Sequence, residues 1–342
     1  MVYAQFRLNP EIDWSSSSDN QDRGVTVILR TKDRPIFLRR ALSSIVAQDY
    51  ADMTLCLIND GGDRQIVEAI VRSCVPQSLD HEITHHAQSL GQPAALNAGL
   101  ARVGREFFAI HDDDDSWSPS FLHKMTALLR QPDNRRYIGA ICYTDQVTEL
   151  LENGAIRQLS QRSHVTYPPV LMLISMLTPD FHPPPISQLM RHAAIKVAGP
   201  MNTELPVMYD FEWTIRLLCH ADVITLADTL AFYHFRCSDD ETIGAARNSV
   251  HEFEHRYAQL RILLQNQLLR DELSHGRIGL GFATNLVHMH HELRARLSAG
   301  LSDPIIAYLA QRARRHDRKR KLRRQLEAPL RYLREKWLRG ER

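Results

Sequence analysis

Short apolar runs alternate with helical patterns over the first half of the chain. The runs predict strands at residues 25–29, 54–58, 82–85, 107–110 and 138–143. The segments between them predict helices at 35–48, up to 74, at 93–103 and at 119–130. Strands that alternate with helices indicate an α/β fold whose mostly parallel sheet is covered by helices on both faces.

The second half of the chain has a weaker pattern. Prolines interrupt residues 150–185, and helices are then predicted at 187–197 and 209–218, with strands at 223–226 and 230–235. From about residue 249 the spacing is helical, at 250–268, 281–297 and 304–338. We therefore divide the chain into a tail (1–23), an α/β domain (24–245, in two parts, 24–145 and 146–245) and a helical C-terminal region (246–342).

Three polar clusters follow predicted strands of the first half. They occupy residues 31–34, 59–63 and 111–115. In open α/β sheets, ligands bind at the carboxyl ends of the strands. We therefore expect the three clusters to lie along one rim and to form a binding site.

The run His111-Asp112-Asp113-Asp114-Asp115 contains the strongest candidate chemistry. Asp112 and Asp114 stand two positions apart, so both side chains can face the same side of an extended chain. Adjacent carboxylates repel one another and need a compensating cation, and Mg²⁺ or Mn²⁺ prefers carboxylate oxygens. The alternative is an exposed acidic turn that precedes a helix.

Five motifs, in order, resemble glycosyltransferase family 2. They are 27–35, Ile58-Asn59-Asp60-Gly61-Gly62, the Gly91 to Gly99 stretch with Asn97, the Asp112–Asp115 run, and 199–217 with Tyr209-Asp210 and Arg216-Leu217. The resemblance covers residues 25–240. It implies a GT-A-type fold, a Rossmann-like nucleotide-binding half, and inverting transfer of a sugar from a nucleoside-diphosphate sugar.

The resemblance also implies roles for residues of the first half, which would bind the nucleotide sugar. Thr31 and Asp60 would bound the nucleobase pocket, with Asp60 accepting a hydrogen bond from a base N–H. Asp112 and Asp113 would lie near the ribose and diphosphate, and Asp114, with Asp112, would bind the divalent metal. Arg34 either pairs with phosphate or is solvated.

In the second half the resemblance places a catalytic base at Asp210. The base would take a proton from the acceptor hydroxyl, although an aspartate at this position also opens helices without any catalytic role. Asn59 and Tyr209 depart from the Asp and Glu that the family has there. His234 and Arg236 lie where relatives have an Arg and a His for metal or diphosphate, in exchanged order.

Charge is concentrated at the C-terminus, where residues 311–342 contain 14 Lys/Arg and 4 Asp/Glu although the whole chain has a net charge of only +2. Leucines and Trp337 interleave the basic residues, which is typical of a helix at an anionic membrane surface. Packing on the body or on a partner is an equal alternative, and nucleic acid is not favoured. Five scattered cysteines and a polar N-terminus indicate a cytoplasmic protein, peripheral at the membrane if the tail binds it.

The hypothesis is a metal-assisted glycosyltransferase whose acceptor is the hydroxyl of a glycan or a lipid-linked saccharide. Nucleotidyl transfer is less favoured because residues 29–35 are not glycine-rich. The alternative from another class is a catalytically silent GT-A-like module that binds a partner through its basic tail.

Overall fold

A computed structural model describes residues 13–14, 22–152, 154–173, 182–236, 259–260 and 263. The strands are β1 (Asp22–Thr31), β2 (Met53–Asn59), β3 (His81–His85), β4 (Arg105–Asp112), β5 (Ser116–Trp117), β6 (Tyr137–Glu152), β7 (Ala155–Val165), β8 (Gln188–Arg191) and β9 (Asp222–Arg236). The helices are α1 (Pro35–Val46), α2 (Arg64–Cys74), α3 (Gln92–Leu100), α4 (Phe121–Arg130), α5 (Ala193–Ala198) and α6 (Tyr209–Leu218). The predicted tail, the basic segment 311–342 and nearly all of the helical C-terminal region lie outside the described residues.

The described strands form one sheet in the order β3-β2-β1-β4-β8-β6-β9-β5, with β7 paired to β6. Its first half is parallel, because β1 pairs in parallel with both β2 and β4. β8 lies antiparallel between β4 and β6, and β6 and β9 are parallel again. The expected α/β fold is confirmed, with a sheet that is mixed rather than parallel throughout.

Helices cover the sheet on both faces because its central strands are apolar on both sides. In β1, Val27 and Leu29 belong to the core shared with α1, α2 and α4, whereas Ile28 between them belongs to the core shared with α3 and α6. All three side chains are fully buried. This two-sided burial explains the continuous apolar run, since successive side chains of a strand point to opposite faces.

Three second-half elements differ from the expectation. Residues 187–197 were expected as one helix, but the segment forms β8 followed by α5. β8 pairs with β4 and β6, and all four of its side chains are buried, so its tertiary position overrides the helical spacing. The two strands expected at 223–226 and 230–235 are one strand, β9. β6 extends beyond the expected 138–143 to Glu152, and β7 lies within the region 150–185, where no strand was expected.

The division expected at residue 145 falls within β6, which runs without interruption to Glu152. Internal contacts divide the chain into residues 1–271 and 272–342. Among the helices that the structure describes, none is long and apolar enough to cross a bilayer.

Close packing of α3 on β1 explains two residues of the Gly91 to Gly99 stretch. A Cβ atom on Gly99 would lie 2.4 Å from Cγ2 of Ile28, so only glycine fits there without movement. Asn97, on the same helix, donates its amide to the Met201 carbonyl at 2.9 Å and accepts from the Met201 N–H at 2.7 Å. This two-bond clamp joins α3 to the segment that leads into α6.

Candidate active site

The ends of β1, β2 and β4 meet at one rim, as the sequence predicts. The Asp60 N–H donates to the Thr31 carbonyl at 3.0 Å, which joins the ends of β1 and β2. The Thr31 hydroxyl donates to Oδ2 of Asp113 at 2.7 Å, which joins β1 to the end of β4. The three polar clusters are therefore one site.

Asp60 holds the loop between β3 and α3. Its Oδ1 accepts from the His86 ring and from Leu90 N–H, both at 2.8 Å, and its Oδ2 accepts from the Ser89 hydroxyl at 2.8 Å and Gly91 N–H at 3.0 Å. Burial would raise the pKa of this carboxyl, but these donors hold the pKa below its usual value. Asp60 is therefore an ionised loop anchor in this structure.

Asn59 has a role that an aspartate could not fill. Its side-chain amide donates to the Gly62 carbonyl at 2.7 Å, and its Oδ1 accepts from the Gly62 N–H at 3.0 Å. A carboxylate accepts but does not donate. The departure from the family pattern therefore closes the 59–62 turn with a side chain that both donates and accepts.

Arginines neutralise the acidic run. Arg30 donates to Oδ1 of Asp112 at 2.6 Å. Arg34 donates to Oδ1 of Asp113 at 3.2 Å and to Oδ2 of Asp114 at 3.0 Å. Arg236, at the end of β9, donates to the same Oδ2 of Asp114 at 2.6 Å. The compensating cations that adjacent carboxylates require are thus present in the protein itself.

Three carboxyls of the run differ in pKa because their partners differ. Burial raises the pKa of Asp113 and, together with neighbouring Asp114, raises that of Asp115 well above the usual range. For Asp114 burial acts in the same direction, but Arg34 and Arg236 hold its pKa well below the usual value. Of Asp113, Asp114 and Asp115, Asp114 is therefore the carboxylate most strongly held in its ionised form.

A buried layer lies behind the acidic run. His234 donates its backbone N–H to Oδ1 of Asp115 at 3.0 Å, and its ring bonds Ser116 Oγ at 2.8 Å and Glu149 Oε2 at 2.9 Å. Arg40 of α1 pairs with Glu149 at 2.6 Å and donates to the Asp114 carbonyl. This layer fixes the backbone of the run against β6 and β9.

His111 is the uncharged part of the same layer. Its side chain is fully buried, and burial lowers its pKa to about 3, so the ring is neutral. The ring contacts the Ser44 hydroxyl at 3.0 Å and the Asp112 carbonyl at 2.7 Å. His111 therefore orients the start of the acidic run and adds no charge to it.

Asp210 lies in the first turn of α6, and its Oδ2 is 3.2 Å from Nε2 of His182. Burial would raise the pKa of Asp210, but the neighbouring imidazole and the backbone amides at the helix start hold the pKa below its usual value. Together with Ile110 of β4 and Gln188 of β8, Asp210 lines a small cavity. The aspartate is thus placed beside the strand that carries the acidic run.

Helix α6 is fixed at both ends of its first two turns. The Tyr209 hydroxyl donates to Oε1 of Gln92 at 3.0 Å, so the residue that replaces the usual Glu joins α6 to α3. Arg216 pairs with Glu212 at 2.6 Å and donates to the carbonyls of Ala198 and Pro200. Glu212 therefore forms an ion pair with Arg216 and not a contact with Asp210.

The residues at the rim fit a divalent metal in part. Asp112 binds Arg30 through Oδ1, and Asp114 binds both of its arginines through Oδ2, so a second oxygen of each carboxylate carries none of these bonds. Magnesium is commonly held by one or two carboxylates together with substrate phosphates and water. In the described part of the chain, however, no three His, Cys, Asp or Glu side chains form a metal-binding group, and His234 is not brought to Asp112 and Asp114 as a third ligand.

The structure brings together Thr31, Arg34, Asp112–Asp114 and Arg236, and places Asp60 on the neighbouring strand end. Sequence reasoning missed Arg40 and Glu149, because a lone charge on a helix or in a weakly patterned strand gives no local signal. His182, in a segment rich in prolines, also gives no local signal of a site residue. Its signal is spatial, since 28 residues separate it from Asp210.

Comparisons with known proteins find relatives of this chain. Residues 26–178 match the sequence model of glycosyl transferase family 2. An uncharacterized glycosyltransferase of Nostoc sp. is 24% identical over 268 residues, which cover 77% of this chain and 79% of that protein. The similarity to glycosyl transferase family 2 thus covers residues 26–178, which include the ends of β1, β2 and β4 and the acidic run.

Two solved structures are similar at low identity. One is S. aureus TarS 1-349 in complex with UDP-GlcNAc, with 18% identity, a TM-score of 0.49, and coverage of 70% of this chain and 66% of that chain. The other is the mannosyltransferase PcManGT from Pyrobaculum calidifontis in complex with GDP-Man and Mn²⁺, with 16% identity, a TM-score of 0.45, and coverage of 62% and 56%. In each case this chain spans less than two thirds of the matched structure.

Proposed function

We propose that the protein transfers a sugar, with inversion, from a nucleoside-diphosphate sugar to an acceptor hydroxyl. The observation that carries the proposal is the position of Asp210 next to β4, the strand that ends in the acidic run. Displacement of a diphosphate leaving group requires a base on one side of the sugar. It also requires charged groups, such as these arginines and carboxylates, on the side of the diphosphate. The donor would lie along the strand ends, between these two groups.

In the proposed reaction, the acceptor oxygen attacks the anomeric carbon as Asp210 takes its proton. The bond from that carbon to the diphosphate oxygen breaks, and its electron pair leaves with the diphosphate. Arg34 and Arg236 lie where they can pair with phosphate oxygens, since both already bind a carboxylate oxygen of Asp114. Asp210 is suited to the base role because its low pKa keeps it ionised at neutral pH.

A divalent metal, Mn²⁺ or Mg²⁺, would be held by Asp112 and Asp114 through the oxygens that bind no arginine. When bound, the ion would neutralise the diphosphate as charge develops on it. Thr31 and Asp60 would bound the nucleobase side. Because the four acceptor positions of Asp60 are already used by its own loop, a base N–H would have to replace one of these bonds.

The acceptor is proposed to be the hydroxyl of a glycan or of a lipid-linked saccharide. Contact of residues 311–342 with an anionic membrane, and a cytoplasmic location, stay predictions from the sequence.

The experiment combines donor turnover with ligand-induced thermal stabilisation. Purified full-length protein is screened with nucleoside diphosphates and their sugars, with and without Mn²⁺, because a ligand that binds only the folded state raises the melting temperature. Asp114→Asn is expected to remove the Mn²⁺-dependent part of the stabilisation. Asp210→Asn is expected to keep it and to lower turnover by about 100-fold or more, the usual contribution of a general base.

Asp228→Asn is the matched control, because Asp228 is a carboxylate in an exposed ion pair with Lys124. It should behave like the wild type in both assays. Full turnover by Asp210→Asn would refute the assignment of the base. An unchanged Mn²⁺ effect in Asp114→Asn would refute the metal assignment.

A further inference from the structure

His182 contacts Asp210, and the proposed reaction assigns no role to His182. The pair joins His182, which precedes three consecutive prolines, to the first turn of α6. Both side chains are largely buried, with 14% of His182 and 18% of Asp210 exposed. A carboxyl–imidazole contact of 3.2 Å in such an environment is less screened by solvent than a surface ion pair.

Two further contacts hold His182. Its ring packs edge-to-face on Phe211, with 5.6 Å between ring centroids. Its backbone carbonyl accepts from the Tyr167 hydroxyl at 3.3 Å. The ring thus packs on Phe211 and the main chain is held by Tyr167, while Nε2 faces Asp210.

The contact fixes the position of the imidazole proton. An ionised carboxylate only accepts hydrogen bonds, so the hydrogen between the two side chains lies on Nε2. The other ring nitrogen, Nδ1, is buried and has no hydrogen-bond partner within the part of the chain that the structure describes. His182 therefore acts on Asp210 as an N–H donor.

We infer that His182 is a positioning residue for the base: its Nε2–H donates to Oδ2 of Asp210 and leaves Oδ1 as the oxygen that receives the acceptor proton. This inference rests on the proposed function of Asp210. In the step itself the proton moves from the acceptor oxygen to Oδ1 while that oxygen bonds the anomeric carbon and the diphosphate departs. His182 keeps its proton throughout.

The other ionisable groups around Asp210 have different partners. On α6, Tyr209 bonds Gln92 and Glu212 pairs with Arg216. From the facing segment, the Tyr167 hydroxyl bonds the His182 carbonyl, and burial raises the pKa of Tyr167 above its ordinary value. Among the described residues, His182 is thus the ionisable side chain in contact with the Asp210 carboxylate.

The test is steady-state kinetics of His182→Ala across pH. We expect kcat to fall about 10- to 100-fold, the rate equivalent of losing a hydrogen bond to a charged group, with KM for the donor unchanged. The acidic limb of the kcat/KM profile should move to higher pH, because burial then acts on the Asp210 carboxyl without the imidazole that opposes it. His182→Gln retains an N–H donor and should recover most of kcat.

His220→Ala is the matched control, since His220 is an exposed histidine that follows the same helix. It should leave both kcat and the pH profile unchanged. In an Asp210→Asn background, His182→Ala should add no further loss, because a residue that acts through Asp210 has nothing left to position. A fall in kcat with an unmoved acidic limb, or an additive loss in the double variant, would overturn the inference.

The outcomes separate the two proposals. If Asp210→Asn is fully active, the proposed base is wrong and the role of His182 falls with it. If Asp210→Asn is inactive while His182→Ala has wild-type kcat and pH dependence, only the role of His182 is wrong. If His182→Ala does not fold, His182→Gln decides alone: a folded variant with kcat more than about 10-fold below wild type would overturn the inference.

Discussion

The clamp between Asn97 and Met201 supports a quantitative prediction. Asn97→Ala removes two hydrogen bonds, of 2.9 and 2.7 Å, that connect residues 104 positions apart. At about 1 kcal/mol net for each bond, and more where a partly buried backbone group is left unpaired, the free energy of unfolding should fall by about 2–4 kcal/mol. For a domain of this size 1 kcal/mol corresponds to roughly 2–4 °C, so a loss of about 2 kcal/mol lowers the melting temperature by roughly 4–8 °C.

The assay is thermal and urea denaturation of the full chain, followed by donor turnover. Turnover should fall as well, because the clamp holds the segment that leads into α6 and Asp210. The control is Asn202→Ala, which removes one exposed hydrogen bond, of 3.0 Å, to the Glu204 N–H. If Asn97→Ala melts within about 1 °C of Asn202→Ala, less than the value of one net hydrogen bond, the reasoning is refuted.

Two further predictions concern packing and pH. Gly99→Ala should lower the free energy of unfolding in urea by about 1–3 kcal/mol, because the added Cβ would lie 2.4 Å from Ile28. Gly104→Ala is the control, since a Cβ there meets no atom within 4 Å, and it should not destabilise the protein. Equal stability of the two variants would contradict the packing argument. The pKa of Asp60 is lower in the folded protein than in the unfolded chain, where it is about 3.9. The ionised carboxylate therefore stabilises the fold above about pH 3.9, and this stabilisation is lost as the pH falls through the pKa of the folded state. The stability difference between wild type and Asp60→Asn should therefore narrow below about pH 4, and a difference that stays constant with pH would show that ionisation of Asp60 is not its source.

The first half of the fold could be predicted from the sequence because its strands are continuous apolar runs. Two-sided burial of residues such as Val27 and Ile28 leaves a strong local pattern, and the polar clusters after the strands mark the rim. β8 could not be predicted from the sequence, because its strand conformation depends on pairing with β4 and β6 and not on its own four residues. Within the site, the acidic run was found from its composition, but its arginine partners come from distant positions. Arg236 lies 122 residues from Asp114 in the sequence, so no local spacing predicts this ion pair.

The continuity of β6 limits where the protein can hinge. One uninterrupted strand, Tyr137–Glu152, pairs with β8 and with β9 and carries Glu149 to the layer behind the acidic run. A hinge between a donor half and an acceptor half would have to break ladder hydrogen bonds along this strand, whereas hinges normally use a few loop residues. For the proposed reaction we therefore expect substrate entry and product release to use connecting loops, and turnover should respond to substitutions in those loops more than to substitutions that stiffen β6.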